Sequence, residues 1–108
     1  MKQIKISIGY SEETQSMFVG VKTDKGIEED FSEYKITLED AKTRQKELQA
    51  IADSLHVDGV IYSKTKGIEF KIERIGDRGE VYFYGGGINH FMNLYPYIED
   101  GEWIVRNY

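Results

Sequence analysis

Residues Thr37 to His56, TLEDAKTRQKELQAIADSLH, are the only stretch of this 108-residue chain with the periodicity of a long helix. Leu38, Ala41, Leu48, Ala52 and Leu55 share one stripe, with Ile51 beside it and Gln45 interrupting it. Thr37 and Asp40 have the spacing of a capping box. Glu39 and Asp40 place carboxylates in the first turn, against the positive end of the helix dipole. Asp40 precedes Arg44 by four residues, the favourable order for an ion pair along a helix. Asp58 and Gly59 punctuate the far end. Such a helix would be about 30 Å long. A single apolar stripe needs a single apolar partner, and a sheet face supplies one.

Everything around the helix reads as short strands and turns. Ile4, Ile6, Ile8 and Tyr10 alternate with Gln3, Lys5 and Ser7, the pattern of a half-buried strand. Met17, Val19 and Val21 continue it into a second strand, with Gly20 as a bulge or close-approach point. Asp24-Lys25-Gly26 is a hairpin loop. A third, weaker strand runs from Ile27 to Ile36, and its broken alternation at Glu28-Glu29-Asp30 marks it as an edge. After the helix come Val60 to Tyr62, then Ile68, Phe70 and Ile72 alternating with charged residues, then Val81 to Tyr84 with bulk on both faces. Ile88, Phe91, Met92 and Tyr95 fall at the spacing of a short amphipathic helix ended by Pro96. Glu102 to Tyr108 is a last strand, with Trp103 and Val105 on one face. The expected fold is a single α+β domain over residues 1–108. Its about six or seven short strands, in the order βββαβββ(α)β, form one antiparallel sheet or two abutting ones, with the long helix packed on a face.

Composition narrows the function classes. Hydrophobic residues make up 40% and charged residues 31% of the chain, enough apolar material for one modest core. The chain has no cysteine, which removes disulfides and thiolate metal sites and fits a cytoplasmic protein. No apolar run reaches membrane-spanning length, so no membrane association is expected. A formal charge of −5 disfavours direct nucleic-acid binding and anionic membranes.

No sequence pattern for a catalytic centre, nucleotide loop or zinc protease helix is present. His56 reads as a helix-end residue, and its His-x-Asp spacing to Asp58 offers only two ligands, so no metal is expected. No cofactor is expected either. The strongest charge asymmetry is the run Glu28, Glu29, Asp30, Glu33, Glu39 and Asp40, offset locally by Lys35 alone. Such a run is either a solvated edge or a surface that docks on a basic partner. Eight of the fourteen aromatics fall after residue 81. Alternation puts Tyr82 and Tyr84 opposite Val81 and Phe83, so both sets cannot share one core. Tyr and Trp are enriched at interface hot spots.

These features point first to a small, acidic, non-enzymatic binding protein acting by protein–protein contact. It would be an inhibitor or modulator of a basic, nucleic-acid-binding partner, of phage or mobile-element type. Its contact residues would be Glu28, Glu29, Asp30, Glu33, Tyr82, Tyr84 and Trp103. The alternative is a small-ligand or nucleotide site at Gly85, Gly86 and Gly87, with His90 and Tyr95. There the glycines would open a helix start to an anion. A third reading is a structural homo-oligomer, such as a homodimer.

Overall fold

The computed structural model describes residues 3–107, and of Asp30 the backbone only. Within them lie eight strands and two helices. Strands β1 (Ile6–Ser11), β2 (Ser16–Thr23) and β3 (Gly26–Lys35) form one antiparallel sheet in that order. Helix α1 (Leu38–Asp53) follows. Strands β4 (Val60–Ser63), β5 (Ile68–Ile75), β6 (Glu80–Phe83) and β7 (Ile88–His90), helix α2 (Phe91–Glu99) and strand β8 (Trp103–Arg106) complete the chain. The second sheet has the order β7-β6-β5-β4-β8, because β8 returns to pair with β4. Tyr108, expected in the last strand, lies outside the described residues. No helix among the described residues is long and apolar enough to cross a membrane.

The long helix starts as its capping pattern predicts. Thr37 has extended backbone geometry and its hydroxyl accepts the Asp40 amide at 3.1 Å. The far end differs. The helix stops at Asp53 with Ser54 as cap, so its sixteen residues span about 24 Å rather than 30. Leu55 is buried beyond the cap. Asp58 takes the left-handed conformation at φ 68° while Gly59 does not, and Gly59 is held between the His56 carbonyl and Asn107. Ala41, Leu48 and Ala52 are buried as the stripe requires, but Leu38 is 47% exposed because it sits at the helix mouth.

The stripe's interruption has a structural use. Gln45 donates to the Ile6 carbonyl at 3.0 Å. Gln49, one turn on, accepts from the Ile6 amide at 2.8 Å and donates to the Ile4 carbonyl at 2.9 Å. The two amides occupy the outward backbone groups of Ile6 and the Ile4 carbonyl before it, and so cover the start of the β1 edge.

Strand β2 carries the predicted irregularity, a register shift between Gly20 and Lys22. The two sheets meet at Gly79, whose φ of +88° favours glycine and whose close packing on Val21 and the His90 ring would crowd a side chain. There the Phe91 amide donates to the Gly79 carbonyl at 2.8 Å. Phe31 of β3 stacks on His90 with centroids 4.4 Å apart. One core then runs through both sheets, from Ile6, Val19 and Leu48 to Ile61, Ile72, Val81, Phe91 and Leu94.

The second helix corrects the sequence reading. Ile88 is not its first apolar residue; it lies in β7, paired with Tyr82 and 62% exposed. The helix starts at Phe91, with His90 as cap, its Nδ1 accepting the Met92 amide at 3.1 Å. Pro96 lies inside the helix rather than ending it. Its carbonyl still receives the Asp100 amide at 3.0 Å, so the last turn closes despite the missing donor.

Leu48 is fully buried between α1 and the first sheet. Replacing it by Ala should cost on the order of 2–5 kcal/mol. In a domain of this size that should lower the thermal midpoint by about 8 °C or more. Circular dichroism melting of L48A checks this, and an unchanged midpoint would mean that the helix packs through another face.

Candidate functional sites on the two faces of the second sheet

The register of the second sheet sorts its side chains onto two faces. Ile61 pairs with Phe70 and Val105, Ser63 with Trp103, Ile72 with Phe83 and Val81 with Asn89, so these share the inner face toward the helices. Tyr62 pairs with Ile104, and Tyr82 with Arg74 and Ile88, on the outer face. The sequence-level separation of Tyr82 and Tyr84 from Val81 and Phe83 therefore has its counterpart in three dimensions.

On the outer face each tyrosine carries a cation. The Arg74 guanidinium lies 3.7 Å from the Tyr82 ring centre and that of Arg106 4.4 Å from Tyr62. The Lys71 amine lies 5.5 Å from Tyr84. Such contacts hold flat rings in place. The Tyr84 hydroxyl donates to Asp58 at 3.0 Å, and that bond raises its pKa. Tyr84 is 53% exposed, and Ile88 continues the row at the sheet edge. Asp58, Glu69 and Glu73 accompany the three cations, so the face is mixed in charge.

On the inner face, Phe70, Phe83 and Trp103 are only partly covered. Phe70 lies 5.8 Å from Phe83 and 6.2 Å from Trp103, centre to centre, and Trp103 stacks on Tyr97 of α2 at 4.5 Å. Phe70, Phe83, Trp103 and Ile61 line a cleft of about 440 Å³ together with Lys66, Gly85, Gly87, Asn89 and two residues of the outer-face row, Tyr84 and Ile88.

The glycine run forms a turn rather than a helix start. Gly85 and Gly86 have φ of +96° and +98°, which only glycine adopts freely, and the Phe83 amide donates to the Gly87 carbonyl at 2.8 Å. Strand β7 separates this turn from α2. Gly85 and Gly87 reach the cleft, but His90 and Tyr95 do not accompany them. His90 Nε2 is bonded to the Arg78 carbonyl at 2.6 Å, and Tyr95 is buried in the core.

Two members of the acidic run, Glu28 and Glu33, are ion-paired within the fold. Glu28 pairs with Arg78 at 3.2 Å, and Glu29 accepts the Tyr34 hydroxyl at 3.3 Å. The Asp30 side chain lies outside the described residues. Glu33 accepts a bifurcated bond from Arg44 Nε, at 2.9 and 3.0 Å, and the Tyr95 hydroxyl, with Arg44 Nη2 at 2.9 Å and Lys35 at 3.0 Å. Arg44 also bonds Glu99 of α2, at 2.8 Å through one nitrogen. Glu33 is thus a structural carboxylate rather than a surface charge. The contact residues named from the sequence do not form one surface. Trp103 lines the cleft and Tyr84 reaches its rim, Tyr82 lies on the opposite face, and the glutamates lie on the other sheet.

Proton exchange near neutral pH is closed to this cluster. Burial pushes Glu33 up, but hydrogen bonds from Arg44, Tyr95 and Lys35 prevail and bring it down to about 2. Burial and the Glu33 charge lift Tyr95 to about 12. The hydrogen bond from Arg44 lowers Glu99, and Arg44 is itself held far above its ordinary value by Glu99 and Glu33. A general acid or base works best near the operating pH, so these groups make a lock. No group of three or more metal-ligating side chains comes together among the described residues.

Tyr62, Lys71, Arg74 and Arg106, and on the inner face Phe70, Phe83, Lys66 and Asn89, were not singled out by sequence reasoning. The alternating β5 pattern was the available signal for Phe70, but the extent of α2's cover was not written locally. Comparison with known proteins found no matching family model, no matching curated sequence and no matching solved structure.

A carboxylate whose pKa is lower folded than unfolded stabilises the fold above its unfolded value, and that contribution disappears as pH falls through the folded one. For Glu33 the window runs from 4.5 down to about 2. E33Q should therefore be less stable than the native chain at neutral pH, with the gap in urea midpoint closing across that window. A raised tyrosine has the opposite sense: its contribution is lost as pH climbs from 10 to about 12, a limb that Tyr95→Phe should flatten. A gap between E33Q and the native chain that stayed constant with pH would mean that Glu33 does not titrate against these partners.

Proposed function

We propose that this chain is a non-enzymatic binding domain that acts by contact with a protein partner, and that the contact surface is the outer face of the second sheet. The observation that supports it is the row of three tyrosines, Tyr62, Tyr82 and Tyr84, each braced by a cation, the first two half-buried and Tyr84 exposed. Tyrosine and arginine are the residue types that most often dominate interface energetics, and pre-ordered rings lose little freedom on binding. The net charge of −5 favours a basic partner at long range, in keeping with a modulator of a nucleic-acid-binding protein. The role of the acidic strand is then steering rather than anchoring, since Glu28 and Glu33 are already paired. A second copy of this chain is the competing partner, and the covered start of β1 disfavours assembly through that strand.

The test uses affinity capture from source-cell lysate with quantitative mass spectrometry, beside light scattering of the purified chain. The native protein should enrich a basic protein that the double variant Tyr82→Ala, Tyr84→Ala loses. For two interface tyrosines the loss should reach about 2 kcal/mol or more, a drop of thirtyfold in affinity. The single variant Glu29→Lys should slow association and weaken its salt dependence while leaving dissociation nearly unchanged. Equal capture by the tyrosine double variant, folded by circular dichroism, would remove the outer face from the account. A dimer broken by the same variant would make the partner a second copy.

A further inference from the structure

The second sheet ends on a strand whose outward backbone is unused. β8 is its last strand, and no strand lies beyond it. The Lys64 amide donates to the Glu102 carbonyl at 3.0 Å, so the ladder with β4 begins one residue before β8. From there the backbone alternates. The amides and carbonyls of Ile104 and Arg106 point to β4, and those of Trp103 and Val105 point outward. Among the described residues, nothing bonds to the outward groups of Trp103 and Val105. The other sheet edges are guarded. Gln45 and Gln49 cover the start of β1. β3 carries Glu28 and Glu29, which two copies would set against each other, and β7 is three residues long. β8 has no proline, no bulge and no inward-pointing charge to deter pairing.

We propose that two copies of this chain join edge to edge through β8, antiparallel about Ile104, into one continuous sheet. The strand is self-complementary in that register. Glu102 lies opposite the partner's Arg106, Trp103 opposite the partner's Val105, and Ile104 opposite the partner's Ile104. Trp103 and Val105 each bring one N–H and one C=O, and the register pairs all of them. Alternation puts Glu102 with Ile104 and Arg106 on the outer face. There they take the non-hydrogen-bonded positions of the new ladder, where opposed side chains come closest. Both charges lack an ionic partner in their own chain. The Thr65 hydroxyl donates to one Glu102 oxygen at 2.8 Å, and the Arg106 guanidinium lies on Tyr62. No described cation pairs with Glu102, and no described carboxylate with Arg106. Antiparallel pairing keeps like faces together, so the joined sheet carries both tyrosine rows on one side and both copies of α2 on the other. The β8 contact therefore leaves the outer face free for a partner.

One strand pair is a small interface, and the dimer is a reversible one, with a dissociation constant on the order of 10–100 μM. Sedimentation equilibrium of the purified full chain over a concentration series measures it. Glu102→Arg sets arginine against arginine at both ends of the ladder, and Arg106→Glu sets glutamate against glutamate. Each should weaken the dimer about tenfold or more. Combining the two restores opposite charges with the signs exchanged and should bring the affinity back to within about threefold of the native chain. Val105→Pro removes an outward amide at an edge position that tolerates proline, and should abolish the dimer. Circular dichroism checks that each variant is folded, and the charge series decides alone if Val105→Pro is not. Tyr82→Ala with Tyr84→Ala, remote from β8, should leave the mass unchanged, so failure of this interface and failure of the partner surface are separable. A chain that stays monomeric up to about 1 mM overturns the assignment. So does a dimer indifferent to the single reversals, a folded double reversal that does not regain it, or a dimer lost in the tyrosine variant.

Discussion

Arg44 joins three elements that the chain makes at separate places. It stands on α1, grips both carboxylate oxygens of Glu33 on β3, and holds Glu99 at the end of α2. The Tyr95 ring lies 5.3 Å from its guanidinium, and the Tyr95 hydroxyl donates to Glu33. Only 14% of the Arg44 side chain is exposed, so the cation is mostly withdrawn from water and relies on these partners. Removing one of them would leave charge poorly solvated, and for that reason such a cluster behaves as a unit. Through it the position of α2 over the second sheet follows from the position of α1 over the first.

That placement decides which surfaces are left open. Anchored to Arg44 at one end and to Gly79 through the Phe91 amide at the other, α2 covers part of the inner face and no more. Phe91, Leu94 and Tyr95 close the core beneath it, while Phe70, Phe83 and Trp103 remain half-covered. The outer face has no helix over it among the described residues. Its tyrosines are braced instead by cations from neighbouring strands, which leave Tyr62 and Tyr82 half-buried and Tyr84 exposed. One sheet thus presents two unlike surfaces. The first is a concave aromatic cleft. The second is a flatter mixed face of tyrosine, isoleucine and paired charges.

The legible part of this arrangement was the part written in short-range patterns. The N-cap at Thr37, the buried positions Ala41, Leu48 and Ala52, the bulge at Gly20 and the opposition of Tyr82 to Val81 all follow from local periodicity and cap chemistry. The misread part involved partners distant in sequence. Gln45 broke the apolar stripe because it serves the β1 edge, thirty-nine positions away. Ile88 matched a helical spacing, but pairing with Tyr82 drew it into a strand. Glu33 looked like a surface acid, and its partners Arg44 and Tyr95 sit eleven and sixty-two positions away.

The sequence by itself determined the α+β class, the antiparallel strands, the central helix and its capped start, because these rest on contacts between residues a few positions apart. It also determined the charge balance and the surplus of aromatics late in the chain. Only the tertiary structure decided that β8 returns beside β4, that Glu33 and Glu28 of the acidic strand pair with Arg44 and Arg78, and that α2 leaves a cleft over Phe70, Phe83 and Trp103. Those outcomes depend on how far each element reaches and what it meets there. Reach and meeting are properties of the packed chain, fixed by steric fit and by the need to pair every withdrawn charge, and no local pattern of residues encodes them.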